Sequence, residues 1–112
     1  MKKYKRVLVQ VTQADIKKGI RRKCEACPVA LAVKRLFKRG TKPSVGIGNI
    51  YLTRPSWVSL GDPLDMPASA VISLPASAAH FIRRFDDGKP VKPFNFLLRF
   101  PIENSQFFKD AT

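Results

Sequence analysis

Two cysteines spaced C-x-x-C, Cys24 and Cys27, are the residues whose type and spacing most directly suggest chemistry. Such a pair supplies half of a four-ligand structural zinc site, or two of the three protein ligands of a catalytic one. The single histidine, His80, lies far along the chain, and no second ligand pair is visible. The cysteine pair therefore does not predict a metal centre, and no metal or other cofactor is expected.

Thiol redox chemistry is a second possibility for the same cysteines. Pro28 suits the first turn of a helix, which makes Cys27 the expected N-cap, near the positive end of the helix dipole. The basic run at residues 21–23 would lower a thiol pKa further. Thioredoxin-like pairs, however, directly follow a first strand, whereas this pair follows a helix and a basic loop. The favoured interpretation is structural: Cys27 caps the helix and Cys24 packs as a small apolar residue.

Positive charge is the other candidate feature, and it is concentrated at one end of the chain. Residues 1–42 hold fourteen of the twenty-one Lys and Arg residues against two acids, whereas residues 43–112 hold seven basic and six acidic residues. Unpaired charge of one sign opposes compaction and is typical of a protein with an anionic partner. Beside a basic tip at residues 2–6, the predicted phosphate-binding residues are Lys17, Lys18, Arg21, Arg22, Lys23, Lys34, Arg35, Lys38, Arg39 and Lys42.

Other motifs give weaker signals. Tyr4 and Trp57 are candidates for stacking on bases, but a lone Trp in a proline-bounded loop more often covers a core. The G-x-G at residues 46–48 lacks the third glycine and the helix of a dinucleotide fingerprint, so a bulge or a close backbone contact is expected. His80 is expected on the polar face of a helix, without a nucleophile nearby in sequence. The sequence therefore predicts no catalytic residues and no enzyme.

Hydrophobic periodicity predicts the elements that position these residues. Alternation over residues 4–11 predicts a strand, and Thr12 with Asp15 predicts a capping box for a short helix that stops at Gly19. An amphipathic pattern predicts a second helix over about 28–39, ended by Gly40. Strands are predicted over 44–52, 70–74 and 94–100, and a helix with a core stripe is predicted over 76–87.

The resulting order, β-α-α-β-β-α-β, predicts an α+β fold: a two-layer single domain over residues 1–112, with a mainly antiparallel sheet and helices on one face. Its parts are a basic strand-helix-helix segment at 1–42, a proline-rich loop at 54–69 and a loosely held tail at 103–112, where Phe107 and Phe108 are candidates for docking. No apolar run approaches the roughly 20 residues that span a bilayer. Without an export signal, the expected compartment is cytoplasmic, and the cysteines are expected to be thiols.

A family resemblance rests on three stretches of this sequence. They are a T-x-x-x-I-x-x-G segment beginning at Thr12, a C-x-x-C-P-V-A-L-A helix beginning at Cys24, and residues 81–88 together with 91–96. The chain resembles a small group of uncharacterised proteins, many encoded by bacteriophages, over about two thirds of its length. The resemblance implies a phage or prophage origin and a bacterial host cell. It brings no assigned activity, and this chain departs from the group in its high basicity.

Three hypotheses follow for the function. The first is a small intracellular phage-type protein that binds DNA or RNA mainly through phosphate contacts from its basic N-terminal third. The alternative is a phage counter-defence protein, for example anti-CRISPR-like, or a host-takeover protein that binds a host protein or ribonucleoprotein. The third is a thiol redox or metal protein built on Cys24 and Cys27.

Overall fold

The elements of the fold follow the predicted α+β order with one additional strand. A computed structural model describes residues 3–38, 40–46, 48–54 and 68–109. In order, the elements are β1 (Tyr4–Val11), α1 (Gln13–Lys18), α2 (Pro28–Lys34), β2 (Lys42–Val45), β3 (Asn49–Arg54), β4 (Ala68–Ser73), α3 (Ala76–Asp86), β5 (Phe94–Pro101) and a 3₁₀ helix (Ile102–Phe107).

The five strands form two antiparallel sheets among the described residues, where the sequence predicted one. β1 pairs with β5 along its whole length, with Val9 opposite Phe96, and β3 lies between β2 and β4. In the β1–β5 pair the odd-numbered residues of β1 and the even-numbered residues of β5 face inward. Period-two alternation is what fixes this arrangement, because a shift of one residue would turn every apolar side chain to solvent.

One hydrophobic core joins the two sheets to the helices. It includes Val9 and Leu98 from the β1–β5 pair, Ile50 from the other sheet, and Val33 and Phe81 from α2 and α3. The stripe predicted on α3 is buried throughout, as are the inward residues 96, 98 and 100 of β5. The mixed α+β single domain predicted from the sequence is therefore confirmed.

The second helix is shorter than predicted. It ends at Lys34, with Arg35 as C-cap, rather than running to residue 39 and ending at Gly40. Phe37 leaves the helix and forms a β-bridge with Phe108. The Lys38 N–H donates to the Phe107 carbonyl at 2.7 Å, and the Lys109 N–H donates to the Leu36 carbonyl at 2.9 Å. The apolar pattern continues past the end of the helix because Phe37 is buried in the core, although its backbone is not helical.

The strand predicted over residues 44–52 is a hairpin instead. β2 and β3 pair antiparallel, with Val45 opposite Ile50, and the chain reverses between them. The Gly46 N–H donates to the Asn49 carbonyl at 2.8 Å, which closes the turn. The G-x-G thus marks a turn between two strands, whereas the prediction placed both glycines inside one strand.

The segment after Pro101 is packed rather than loosely held as far as it is described. It forms the 3₁₀ helix, and the docking predicted for Phe107 and Phe108 is confirmed, since both are buried. The Phe108 ring lies with its centroid 4.1 Å from that of Phe100 and 4.8 Å from that of Phe37. These rings fasten the end of the chain to β5 and to the segment after α2.

Some predictions fall on residues outside the described ranges. These are Arg39, Trp57, the interior of the proline-rich loop at 55–67 and the last residues of the tail at 110–112. The ends of that predicted loop are strand, because β3 extends to Arg54 and β4 begins at Ala68. Among the described residues, no helix is long and apolar enough to cross a membrane.

Replacing Phe108 by alanine should destabilise the protein strongly. Removing a buried aromatic ring costs about 3–5 kcal/mol in the free energy of unfolding. The exposed neighbour in the Lys109→Ala variant should change it by less than about 0.5 kcal/mol. Urea denaturation followed by circular dichroism measures both, and equal stabilities for the two variants would contradict the docked position of Phe108.

Candidate nucleic-acid interface

The two N-terminal helices lie side by side in opposite directions. Asp15 of α1 pairs with Arg35 at the C-terminal end of α2. At the other end, Gly19 lies against Pro28, so closely that a Cβ at position 19 would come within 2.6 Å of the proline ring. Gly19 is therefore required for this close approach to Pro28, and it also ends α1. The packing of α1 against α2 therefore positions the basic residues that come before and after α2 in the chain.

The Asp15 carboxylate is the central acceptor of this region. It accepts the Thr12 backbone N–H at 2.9 Å, and the Thr12 hydroxyl accepts the Asp15 N–H at 3.2 Å, so the predicted capping box is confirmed. Two nitrogens of the Arg35 guanidinium donate to its two oxygens at 2.6 and 2.8 Å. The Arg35 hydrogen bond is the main reason that the pKa of Asp15 lies below its ordinary value, although burial opposes the shift.

Arg35, one of the predicted phosphate-binding residues, thus has a structural contact that the sequence did not predict, while its side chain is 51% exposed. Beyond its pair with Asp15, it donates to the Gln10 carbonyl of β1 at 2.9 Å, and the pair raises its own pKa. The acid that pairs with Arg35 lies on α1 and not on its own helix.

The first group of exposed cations, the α1-end group, consists of Lys17, Lys18 and Lys23. They lie at the end of α1 and in the loop that leads to α2. Among the described residues, none of these three side chains has an ion-pair partner. They are free to contact an anion.

Arg21 and Arg22, predicted in the same group, have additional contacts with the end of α3. The Arg22 N–H donates to the Asp86 carboxylate at 2.9 Å, and its φ of 61° is a strained conformation for a residue with a side chain. The Arg21 guanidinium lies against Gly88, where an added Cβ would come within 3.3 Å of it. Both side chains are exposed, but Asp86 offsets part of the positive potential at this loop.

The second group, the α2-end group, consists of Lys34, Lys38 and Lys42, all exposed. Lys34 ends α2, Lys38 follows it, and Lys42 begins β2. Lys109 lies beside this group, because its backbone N–H donates to the Leu36 carbonyl. The sequence did not predict Lys109 as a site residue. No local pattern could have indicated Lys109, since a β-bridge between distant segments brings it to this end.

The two groups are separated by about the length of α2, which is roughly 10 Å for seven residues at 1.5 Å each.

The cysteine pair has the geometry of a helix start. Cys27 is buried, and its Sγ accepts the Ala30 N–H at 3.4 Å, so the predicted N-cap is confirmed. Burial raises the pKa of Cys27, contrary to the lowering that the helix end and the basic loop suggested. Cys24 is exposed, so its predicted packing as an apolar residue was wrong. The described residues hold no group of three or more His, Cys, Asp or Glu side chains suited to a metal.

The remaining candidates are surface residues. His80 is exposed on α3, as predicted. Tyr4 is half exposed, and the Arg99 guanidinium lies 4.2 Å from its ring centre, so one ring face already carries a cation–π contact.

Comparison with protein-family models, with curated proteins and with solved structures finds no match for this chain.

The Asp15→Asn variant should be less stable than the original chain at neutral pH, and the difference should shrink in acid. A loss of about 1–2 kcal/mol is expected, since an N-terminal capping interaction and an ion pair are weakened. The folded-state pKa of Asp15 is lowered, so its stabilisation is present above the unfolded value of about 3.9 and disappears as the pH falls through the folded value.

Urea denaturation of both proteins between about pH 7 and pH 2 measures this difference. The Asp87→Asn variant is the control, because Asp87 is the exposed C-cap of α3. A pH-independent gap between Asp15→Asn and the original chain would contradict the ionic role of Asp15.

Labelling with a thiol reagent should separate the two cysteines. At about pH 8 the exposed Cys24 should react rapidly, while the buried Cys27 should react only as the protein opens, since burial also raises its pKa. Cys24→Ser should remove the rapid phase and Cys27→Ser should keep it. Two equally rapid thiols, or a disulfide in the purified protein, would show that the pair is not a buried cap beside an exposed thiol.

Proposed function

We propose that this protein is a nucleic-acid-binding protein, not an enzyme, that contacts phosphates through the α1-end and α2-end groups. The observation that carries the proposal is the set of exposed lysines along α1 and α2, which have no acidic partner among the described residues, in a chain of formal charge +13. The contact set is led by Lys17, Lys18, Lys23, Lys34, Lys38 and Lys42. An intracellular setting and a phage origin, expected from the sequence, belong to this proposal.

Phosphate-directed binding follows from the chemistry of these side chains. Lysine ammonium groups are point charges without the planar fork that reads a guanine edge, so they favour backbone contact over base recognition. Six such contacts correspond to a dependence of log affinity on log salt of about −5 for a duplex and −4 for a single strand. We therefore expect these lysines to supply binding affinity without a preference for particular bases.

The counter-defence alternative differs in its partner. It requires a host protein or ribonucleoprotein that stays bound after nuclease treatment. The redox and metal alternative has less support, because Cys27 is buried with a raised pKa and Cys24 alone is exposed.

Two double variants test the nucleic-acid proposal: Lys17→Gln with Lys18→Gln, and Lys34→Gln with Lys38→Gln. The control is Arg6→Gln with Arg99→Gln, which makes the same charge change at two exposed arginines that pair within β1 and β5. Arg35 is left unchanged because its loss would disturb Asp15. Each site pair should reduce the magnitude of the salt slope by about 1.5–2, while the control pair should leave it unchanged.

Fluorescence anisotropy with labelled duplex DNA, single-stranded DNA and RNA of one length measures these slopes. The original chain should lose about 10³-fold in duplex affinity between 50 and 200 mM salt. Affinity that barely changes over this range, or equal effects of all three double variants, would refute contact through these groups.

A further inference from the structure

A second surface, separate from the two lysine groups, lies on the outward side of the β1–β5 pair. This outer face consists of the even-numbered residues 4–10 and the odd-numbered residues 95–101, which the pairing register places opposite one another. Leu8 lies opposite Leu97, and these side chains are 47% and 54% exposed. None of the outer-face residues is acidic.

Two arginines lie directly opposite each other on this face. Arg6 pairs in register with Arg99, although like charges in directly opposed positions destabilise a strand pair. Arg99 also contacts the Tyr4 ring, whereas Arg6 has no side-chain partner among the described residues. The two arginines therefore lie between the Leu8–Leu97 pair and the Tyr4–Pro101 pair. No residue of the outer face neutralises their positive charge.

A cleft extends the outer face toward β4. It has a volume of about 420 Å³ and is lined by Tyr4, Leu97 and Arg99 on one side and by Val71 and Pro75 on the other. Val71 is 55% exposed. Ligand pockets span about 300–1,000 Å³, so the cleft has room for a large apolar side chain of a partner. Contiguous exposed apolar side chains beside charges of one sign are typical of protein interaction sites.

We propose that the outer face binds an acidic, amphipathic segment of a partner protein. Its apolar side chains would cover Leu8 and Leu97 and enter the cleft beside Val71, and its carboxylates would pair with Arg6 and Arg99. Charge complementarity is the argument for the acidic character, because the arginines face each other without an acid on the face. This proposal does not depend on nucleic-acid binding at the lysine groups.

Two other occupants fit the face less well. A second copy of this chain, packed face to face, would bring two Arg6–Arg99 pairs together between molecules of formal charge +13. Single-stranded nucleic acid stacks its bases on aromatic rings, and the outer face has one aromatic residue, Tyr4, whose ring is covered on one side by Arg99.

The test uses a fluorescein-labelled helical peptide of about 15 residues, roughly four turns, with leucines on one face and glutamates on the other. A second peptide keeps the leucines and replaces every glutamate by glutamine. Anisotropy is measured with the original chain, with Leu8→Ser/Leu97→Ser and with Arg6→Gln/Arg99→Gln. The matched controls are Ile20→Ser, an exposed apolar residue elsewhere, and Lys89→Gln/Lys92→Gln.

The expected result is that the glutamate peptide binds at least about tenfold more tightly than the glutamine peptide. Each outer-face variant should weaken that binding about tenfold, a factor that corresponds to about 1.4 kcal/mol, and the controls should leave it unchanged. Circular dichroism of each variant establishes that its fold is retained. The Lys17→Gln/Lys18→Gln variant should also bind the peptide normally, which separates this outcome from that of the nucleic-acid test.

Several results would overturn the proposal. They are equal binding of the two peptides, unchanged binding by the outer-face variants, and no binding up to about 1 mM peptide, a concentration at which even weak complexes form. Oligodeoxythymidine binding that is lost in Arg6→Gln/Arg99→Gln would assign the face to nucleic acid instead. A dimer that disappears in Leu8→Ser/Leu97→Ser would assign it to a second copy.

Discussion

The buried carboxylate of Asp15 is the group on which the N-terminal half depends. It accepts hydrogen bonds from Thr12 at the start of α1 and from Arg35 at the end of α2, and Arg35 in turn donates to β1 at Gln10. One hydrogen-bonded group thus joins a strand and two helices. α1 has six residues and α2 has seven, which is too short for either to persist alone in water. Their stability therefore comes from packing and from this contact.

Features decided by residues a few positions apart could be predicted from the sequence. The capping box needs Thr12 and Asp15, the N-cap needs Cys27 and Pro28, and the α3 stripe repeats with the period of a helix. Features that join distant segments could not. The end of α2 at Lys34 depends on the bridge between Phe37 and Phe108, which no helical pattern contains. The amphipathic pattern correctly predicted that Phe37 is buried, but it wrongly predicted that Phe37 lies in a helix. A helix and a β-bridge can both bury this residue.

The candidate site likewise combines features that the sequence could predict with features that it could not. Composition indicated that the basic segment is exposed, and most of its described cations are exposed, since lysine is rarely buried without a partner. What composition could not indicate is which cation has an internal partner. Arg35 finds its acid on another helix, and Lys109 joins the α2-end group through the Phe37–Phe108 bridge. The Arg6–Arg99 opposition depends on strand register, so it also becomes visible only in three dimensions.

The two proposed surfaces lie on opposite sides of the β1–β5 pair. Val9 and Val11 of β1 face the core that contains α2, whereas Leu8 faces away from it. Partners bound at the two surfaces would therefore not compete for the same space. Nucleic acid on the lysine groups and an acidic segment on the outer face can consequently be held together, each neutralising a different part of the charge that the fold leaves unpaired.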